Sequence, residues 1–188
     1  MTLSARSERS DRGDRGDRGA AAFDLCELQL AGDDAAAARV HRVGRRAYAV
    51  EAELIGFDGI PALQESIEEM RDQPLRWLGA VGDGGRLAAF VAWQNPAGDH
   101  GGNIVDIDRV CVDPDWFRCG LASRLIRHLL VHLAPAGNVQ VSTGADNGPA
   151  VALYESLGFS RVGTIEPVPG LRLAQFLLDR SRSGRSGS

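Results

Sequence analysis

The stretch Val110-Cys111-Val112-Asp113-Pro114-Asp115-Trp116-Phe117-Arg118-Cys119-Gly120-Leu121-Ala122-Ser123-Arg124-Leu125 has the residue types and spacing of a ligand site. A β-type run ends at Asp113-Pro114, a short loop follows, and a helix begins at Gly120-x-Ala122. Gly120 and Ala122 leave the backbone open to close approach by a ligand. The first turn of a helix presents unpaired N–H groups and the positive end of its dipole. Such a junction can hold an anion, and a phosphate or pyrophosphate suits it best. Arg118 and Arg124 add positive charge beside it. An ordinary strand–helix junction would use the same residues without a ligand. Just upstream, Asp106 and Asp108 stand two apart on an alternating run. Alternation places both on one face, together with Val110 and Val112.

Other reactive types are less organised. His128 and His132 are four apart on a helical stretch, as zinc ligands can be, but no Glu stands between them as in a metalloprotease motif. They read as an exposed polar face, and no metal is expected. Cys119 lies near an arginine and a helix start, which could lower its pKa; as a small filler beside bound phosphate it needs no reactivity. No Gly-x-Ser-x-Gly elbow and no Gly-x-Gly-x-x-Gly loop occurs, so hydrolase and dinucleotide readings lack support.

The elements that must position these residues follow from periodicity and turn chemistry. Residues 23–30 alternate and predict a strand. Asp33 or Asp34 can cap a helix running to about residue 54. Gly56, Gly59 and Pro61 break it, and residues 61–71 predict a second, short helix. Residues 77–81 and 87–93 are apolar runs joined by Gly-Asp-Gly-Gly, a hairpin signal. Residues 103–112 predict a strand. Residues 120–133 predict a helix with a stripe of Leu121, Leu125, Leu129 and Leu133. A strand over 139–142, a helix over 145–157 stopped by Gly158, and strands over 161–165 and 171–178 complete the chain. The order β, α, α, β, β, β, α, β, α, β, β predicts a mixed α/β sheet with helices between strands.

Composition narrows the partners. The chain has 188 residues, enough for one domain with tails. All 21 basic residues are Arg. Without Lys there is no Walker-type phosphate loop and no Lys Schiff base. Residues 1–20 carry Asp-Arg-Gly three times and little apolar content, so 1–21 is expected to be a disordered tail, as is 181–188. The domain is expected over 22–180. Residues 21–179 carry a net charge of −8 against −4 for the whole chain. An acidic domain argues against nucleic acid, which needs a clustered basic face, and it suits a cationic substrate. Cys26, Cys111 and Cys119 have no framework spacing, so reduced thiols in a cytoplasm are expected. No apolar run reaches the roughly 18–20 residues of a bilayer span, and no secretory h-region is seen.

Two motifs in sequence order resemble the GNAT superfamily of N-acetyltransferases. Phe117-Arg118-Cys119-Gly120-Leu121-Ala122 is similar to that family's Arg/Gln-x-x-Gly-x-Gly/Ala. Asn147, Ala150, Leu153, Tyr154, Gly158 and Phe159 match its Asn-x-x-Ala-x-x-Leu-Tyr-x-x-x-Gly-Phe. One position departs: the family usually has Arg or Gln where this chain has Phe117, with Arg118 next. The family holds phosphate mainly through backbone N–H groups, so coenzyme A binding is expected to survive the change.

The resemblance implies a mostly antiparallel twisted sheet of about seven strands flanked by about four helices. A splayed parallel pair, residues 103–112 and 139–142, would form the acetyl-CoA cleft. It implies acetyl transfer to an amine acceptor, on a small molecule or a peptide, by direct attack. Val110, Cys111 and Val112 would line the pantetheine arm, with the main chains of Val110 and Val112 pairing to it as to an added strand. Arg118, Cys119, Gly120, Leu121, Ala122 and Ser123 would cradle the pyrophosphate. Asn147 would contact coenzyme A, or simply cap its helix. Tyr154 would donate a proton to the leaving thiolate, and Asp106 or Asp108 would act as base. Tyr48, Glu51, Glu53 and Phe57, near the break after the first helix, are candidates for acceptor contact, and the acids would suit a cationic amine. A non-catalytic acyl-CoA-binding module on the same fold is the alternative. The sequence leaves a homodimer open.

Overall fold

Turn and cap residues cut the chain into elements close to those expected, and the computed structural model describes residues 22–95 and 104–180. In chain order they are β1 (Asp24–Leu28), α1 (Asp34–Ile55), α2 (Ile67–Asp72), β2 (Arg76–Val81), β3 (Leu87–Gln94), β4 (Ile104–Val112), α3 (Leu121–His128), β5 (Asn138–Gly144), α4 (Gly148–Ser156), β6 (Ser160–Val168) and β7 (Leu171–Leu178). The strands form one seven-stranded sheet in the order β1-β2-β3-β4-β5-β7-β6. Among the described residues, only β4 and β5 run parallel; every other neighbouring pair is antiparallel. The expected tails, 1–21 and 181–188, lie outside the described residues, as does Asn103.

Each face of the sheet carries its own core. Val40 and Val43 of α1 and Met70 of α2 pack with Trp77, Phe90 and Cys111 on one face. Leu121, Leu125 and Ile126 of α3 and Tyr154 of α4 pack with Leu78, Val91, Trp93, Val105 and Ile107 on the other. The strict alternation of strand side chains explains how Trp77 and Leu78, adjacent in sequence, belong to different cores.

Three expectations are corrected. The predicted helix over 61–71 is a 3-10 turn, Pro61–Leu63, followed by the separate α2. Ser66 starts that helix: its hydroxyl accepts the Glu69 N–H and the Glu69 carboxylate accepts the Ser66 N–H. This reciprocal capping box begins a new helix instead of letting one run through. The predicted helix over 120–133 is α-helical only to His128 and ends in a π turn, Leu129–Leu133. The Arg180 guanidinium takes up carbonyls freed there, from Leu130, Ala134 and Pro135.

The third correction bears on chemistry. Opposite β3, Ala92 faces Arg109 and Trp93 faces Ile107, so Asp108 is an extra residue in β4. A bulge of this kind reverses the side-chain parity beyond it. Val105 and Ile107 belong to the α3–α4 core before the bulge, and Val110 and Val112 pack against the same core after it. Asp106, between Val105 and Ile107, therefore lies on the opposite face from Val110 and Val112. The four residues do not share a face.

Candidate active site

The parallel pairing of β4 with β5 covers only Ile104 to Ile107, opposite Asn138 to Val141. Beyond it β4 stays with β3 as far as Val112, while Ser142, Thr143 and Gly144 stay with β7. The two strands part at the bulge and leave a V-shaped opening. The Asp113 N–H donates to the Ala88 carbonyl at 2.8 Å, so the strand edge at Asp113 faces β3. By alternation the N–H and C=O groups of Val112 and Val110 face the opening. They form an unpaired strand edge.

The loop after β4 leads from this edge into α3. Arg118 has φ 63° and Gly120, the helix N-cap, has φ 73°. These left-handed residues turn the chain so that a run of amides faces outward, an arrangement that binds anions. Among the described residues, no protein acceptor takes the N–H of any residue from Arg118 to Ser123. That is six consecutive donors at a helix start. A Cβ on Gly120 would meet nothing within 4 Å, so the space above the loop is open. Two arginines fix the loop from behind. Arg46 of α1 donates to both oxygens of the buried Asp113 at 2.8 and 2.7 Å. Asp115 accepts from Arg46 at 3.2 Å and from Arg86 at 2.6 Å. Phe117 is 43% exposed, and the Cys119 thiol lies 3.6 Å from the Phe117 carbonyl.

On the α1–α2 side the opening widens into a cleft of about 720 Å³. Tyr48, Glu51 and Ile55 of α1 form one wall, Glu65, Glu69 and Gln73 another, and Asp108, Arg109 and Ser142 to Gly144 the floor. Four carboxylates face one guanidinium. Arg109, with a side chain 9% exposed, donates to Glu65 at 2.7 Å, to Asp108 at 2.6 Å and to Gln73 at 2.8 Å. Burial works against its charge, but the bonds to Glu65 and Asp108 hold the guanidinium well above its ordinary pKa. Arg109 thus stays charged and ties α2 to the bulge.

Glu51 makes a second tie. Its Oε1 accepts from the Thr143 hydroxyl at 3.2 Å, the Gly144 N–H at 3.2 Å and the Asn147 side-chain amide at 3.0 Å. Asn147 also caps α4, its Oδ1 accepting the Ala150 N–H at 3.2 Å. Both polar atoms of Asn147 are therefore engaged by the protein. Tyr154 lies buried between Phe159 and Phe176, with ring centroids at 5.8 and 5.6 Å. Burial first, then the nearby Glu51 and Cys111, push its phenol above the ordinary range, so it keeps its proton at neutral pH. Burial also raises the Tyr48 phenol and pushes the Cys111 thiol up to about 12.

The cleft brings together Tyr48, Glu51 and Asp108 of the residues singled out in the sequence. Phe57 is not part of its wall; the ring packs under Gly59 and against Gly170 in the β6–β7 turn. Asp106 lies in the closed part of the strand pair, opposite Gln140 and Gln94. His128 and His132 stack at 4.7 Å, and among the described residues no group of three or more His, Cys, Asp or Glu side chains could hold a metal. Arg109, Glu65, Gln73 and Thr143 also line the cleft, and no ligand-site motif in the sequence marks them. The Ser66-x-x-Glu69 box was the legible signal for Glu65, since it fixes where α2 begins. Arg109 had none, because nothing in its composition marks the bulge.

Residues 34–159 match the model of the Acetyltransferase (GNAT) family. The chain belongs to the GNAT acetyltransferase family. The GNAT domain is 35% identical to the UPF0157 protein YqkA of Bacillus subtilis over 132 residues, 70% of this chain and 37% of that protein. It is 36% identical over 78 residues to the ribosomal protein bS18-alanine N-acetyltransferase of Escherichia coli, 40% of this chain and 49% of that one. The chain therefore spans half or less of the length of these curated relatives. In fold it is similar to the PaiA N-acetyltransferase of Thermoplasma acidophilum, solved in complex with coenzyme A, with a TM-score of 0.61 at 12% identity over 82% of this chain and 98% of that one. Acetyl-CoA is the acetyl donor of this family, and the V-shaped opening with its run of free amides fits such a molecule.

Proposed function

We propose that this GNAT domain transfers an acetyl group from acetyl-CoA to a primary amine by direct attack in a ternary complex. The observation that carries the reading is the opening between β4 and β5, continuous with six free N–H groups from Arg118 to Ser123. The pyrophosphate would sit on those amides and the helix dipole, with Arg118 and Arg124 nearby. The pantetheine arm would add to the free edge of Val110 and Val112, passing Cys111 and pointing its thioester toward the cleft. Tyr154, protonated at neutral pH, would donate to the departing sulfur. Asp108, on the bulge, faces the cleft, and Asp106 does not.

The acceptor would enter between α1, α2 and the sheet. Four carboxylates against one arginine favour a cationic amine. A relative named for acetylating an alanine of a ribosomal protein makes a peptide N-terminus one such candidate. Three unpaired thiols suit a reducing, cytoplasmic compartment.

Calorimetry with acetyl-CoA, followed by free-thiol release with a panel of primary amines, tests the reading. Binding with turnover supports it. Binding with no turnover on any amine would replace it with a non-catalytic acyl-CoA-binding module, which the exposed Phe117 in the motif would suit. No binding would overturn both.

A further inference from the structure

We propose that Glu51 of α1 is the base that takes the proton from the attacking amine, a role that rests on the acetyl-transfer reading above. The four carboxylates of the cleft are not equally available. Glu65 gives both oxygens to Arg109, and one of them also to Gln73. Asp108 accepts from the Arg109 Nε at 2.6 Å. Glu69 closes the α2 capping box at the surface. Asp108, like Glu51, has one oxygen that no donor reaches among the described residues, but Asp108 is paired to a guanidinium and Glu51 is not. Three donors converge on Oε1, and among the described residues none reaches Oε2.

Position supports the role. The three donors belong to Thr143 and Gly144, at the parted end of β5, and to Asn147, at the start of α4. The carboxylate is thus held across the mouth of the V, where a thioester lying along β4 meets the cleft. Its charge is close enough to raise the phenol of Tyr154, on the far side of the opening. The ionisable groups around it are Tyr48 on its own helix, Asp108, Arg109 and Cys111 of β4, and Tyr154 of α4. Tyr48, Cys111 and Tyr154 stay protonated at neutral pH, and Asp108 is bound to Arg109.

An alkylammonium passes one proton to Glu51 Oε2. The freed nitrogen lone pair forms the C–N bond to the thioester carbonyl carbon. The C–S bond breaks and its electron pair leaves on sulfur, which takes the Tyr154 proton. The nitrogen of the adduct then gives up its second proton through water to the Tyr154 phenolate, leaving the neutral amide, and solvent removes the proton held by Glu51.

The distribution of donors makes a clean test. In Glu51→Gln the amide oxygen can replace Oε1 for all three donors, so the tie between α1 and β5 survives. The amide nitrogen in place of Oε2 cannot take a proton. Free-thiol release from acetyl-CoA is measured across pH with an alanine-starting peptide and a linear diamine. The expected result is a loss of kcat/KM of about 10²-fold in Glu51→Gln, with unchanged acetyl-CoA affinity and melting temperature. That deficit should narrow as pH rises, because the amine then arrives uncharged. Glu51→Ala should lose stability as well. Turnover in Glu51→Gln within about threefold of the parent at every pH, with loss only in Glu51→Ala, would overturn the proposal and leave Glu51 as a structural tie. A parent protein that turns over neither amine would overturn acetyl transfer to such amines, and the proposal with it.

Discussion

Replacing Gly144 with alanine should push α1 away from β5. Gly144 is outside the positive-φ glycines, so the effect is steric alone. A Cβ there would stand 2.7 Å from Ile55 Cγ2 and 3.3 Å from Glu51 Oε1. The first distance is too short for two non-bonded carbons, so the Ile55 side chain or the helix that carries it must shift. Overpacking of this kind costs about 1–3 kcal/mol. In a domain of this size that lowers Tm by about 2–12 °C. The Glu51 bonds to Thr143, Gly144 and Asn147 should loosen with it. Ile55→Ala removes the offending methyl. The half-buried Ile55 should itself cost about 1–2 kcal/mol when truncated. The two changes together should then cost less than their sum by about 1 kcal/mol or more, a coupling typical of residues in contact. Urea unfolding with an unchanged m-value measures all four corners of the cycle. Additivity within about 0.5 kcal/mol, or a neutral Gly144→Ala, would refute the contact as the reason this position is glycine.

Three further outcomes follow from the site. Gly120→Ala keeps open space around the new methyl but must hold φ 73°, a strain of about 1–2 kcal/mol; acetyl-CoA affinity should fall about tenfold by calorimetry. Tyr154→Phe keeps the ring packed on Phe159 and Phe176, so it should lower kcat about 10²-fold while leaving acetyl-CoA affinity and Tm unchanged. The Cys111 thiol is pushed from its ordinary 9.0 up to about 12 by burial, so the unfolded chain ionises first. Its contribution is intact below pH 9.0 and is lost as pH climbs toward 12; Cys111→Ala should flatten the alkaline fall of stability in denaturation curves taken across that window.

The features that local chemistry sets were legible in the residues. Gly120 and Ala122 placed the loop–helix junction, and Asp33, Gly82 to Gly85 and Gly158 placed the ends of elements. The match of Asn147, Tyr154 and Phe159 to one motif placed α4 beside the opening. What stayed hidden depends on pairing between strands. The single extra residue at Asp108 leaves no trace in the alternation of residues 103–112, yet it separates Asp106 from Val110 and Val112. It also brings Arg109 to the cleft face, where Glu65 and Gln73, flanking the two ends of α2, meet it. The role of Glu51 was hidden for a related reason: its partners Thr143, Gly144 and Asn147 are more than 90 residues away in sequence. No local pattern encodes such a meeting; the packing of α1 over the parted strands does.

Amide hydrogen exchange with and without coenzyme A reads directly whether the ligand lies along the parted strand and its loop. Exchange should slow at the N–H groups of Arg118 to Ser123, which have no protein acceptor among the described residues, and at Val110 and Val112 on the open edge. Coenzyme A that binds while those amides exchange as before, or protection confined to the opposite edge of the sheet, would contradict that placement.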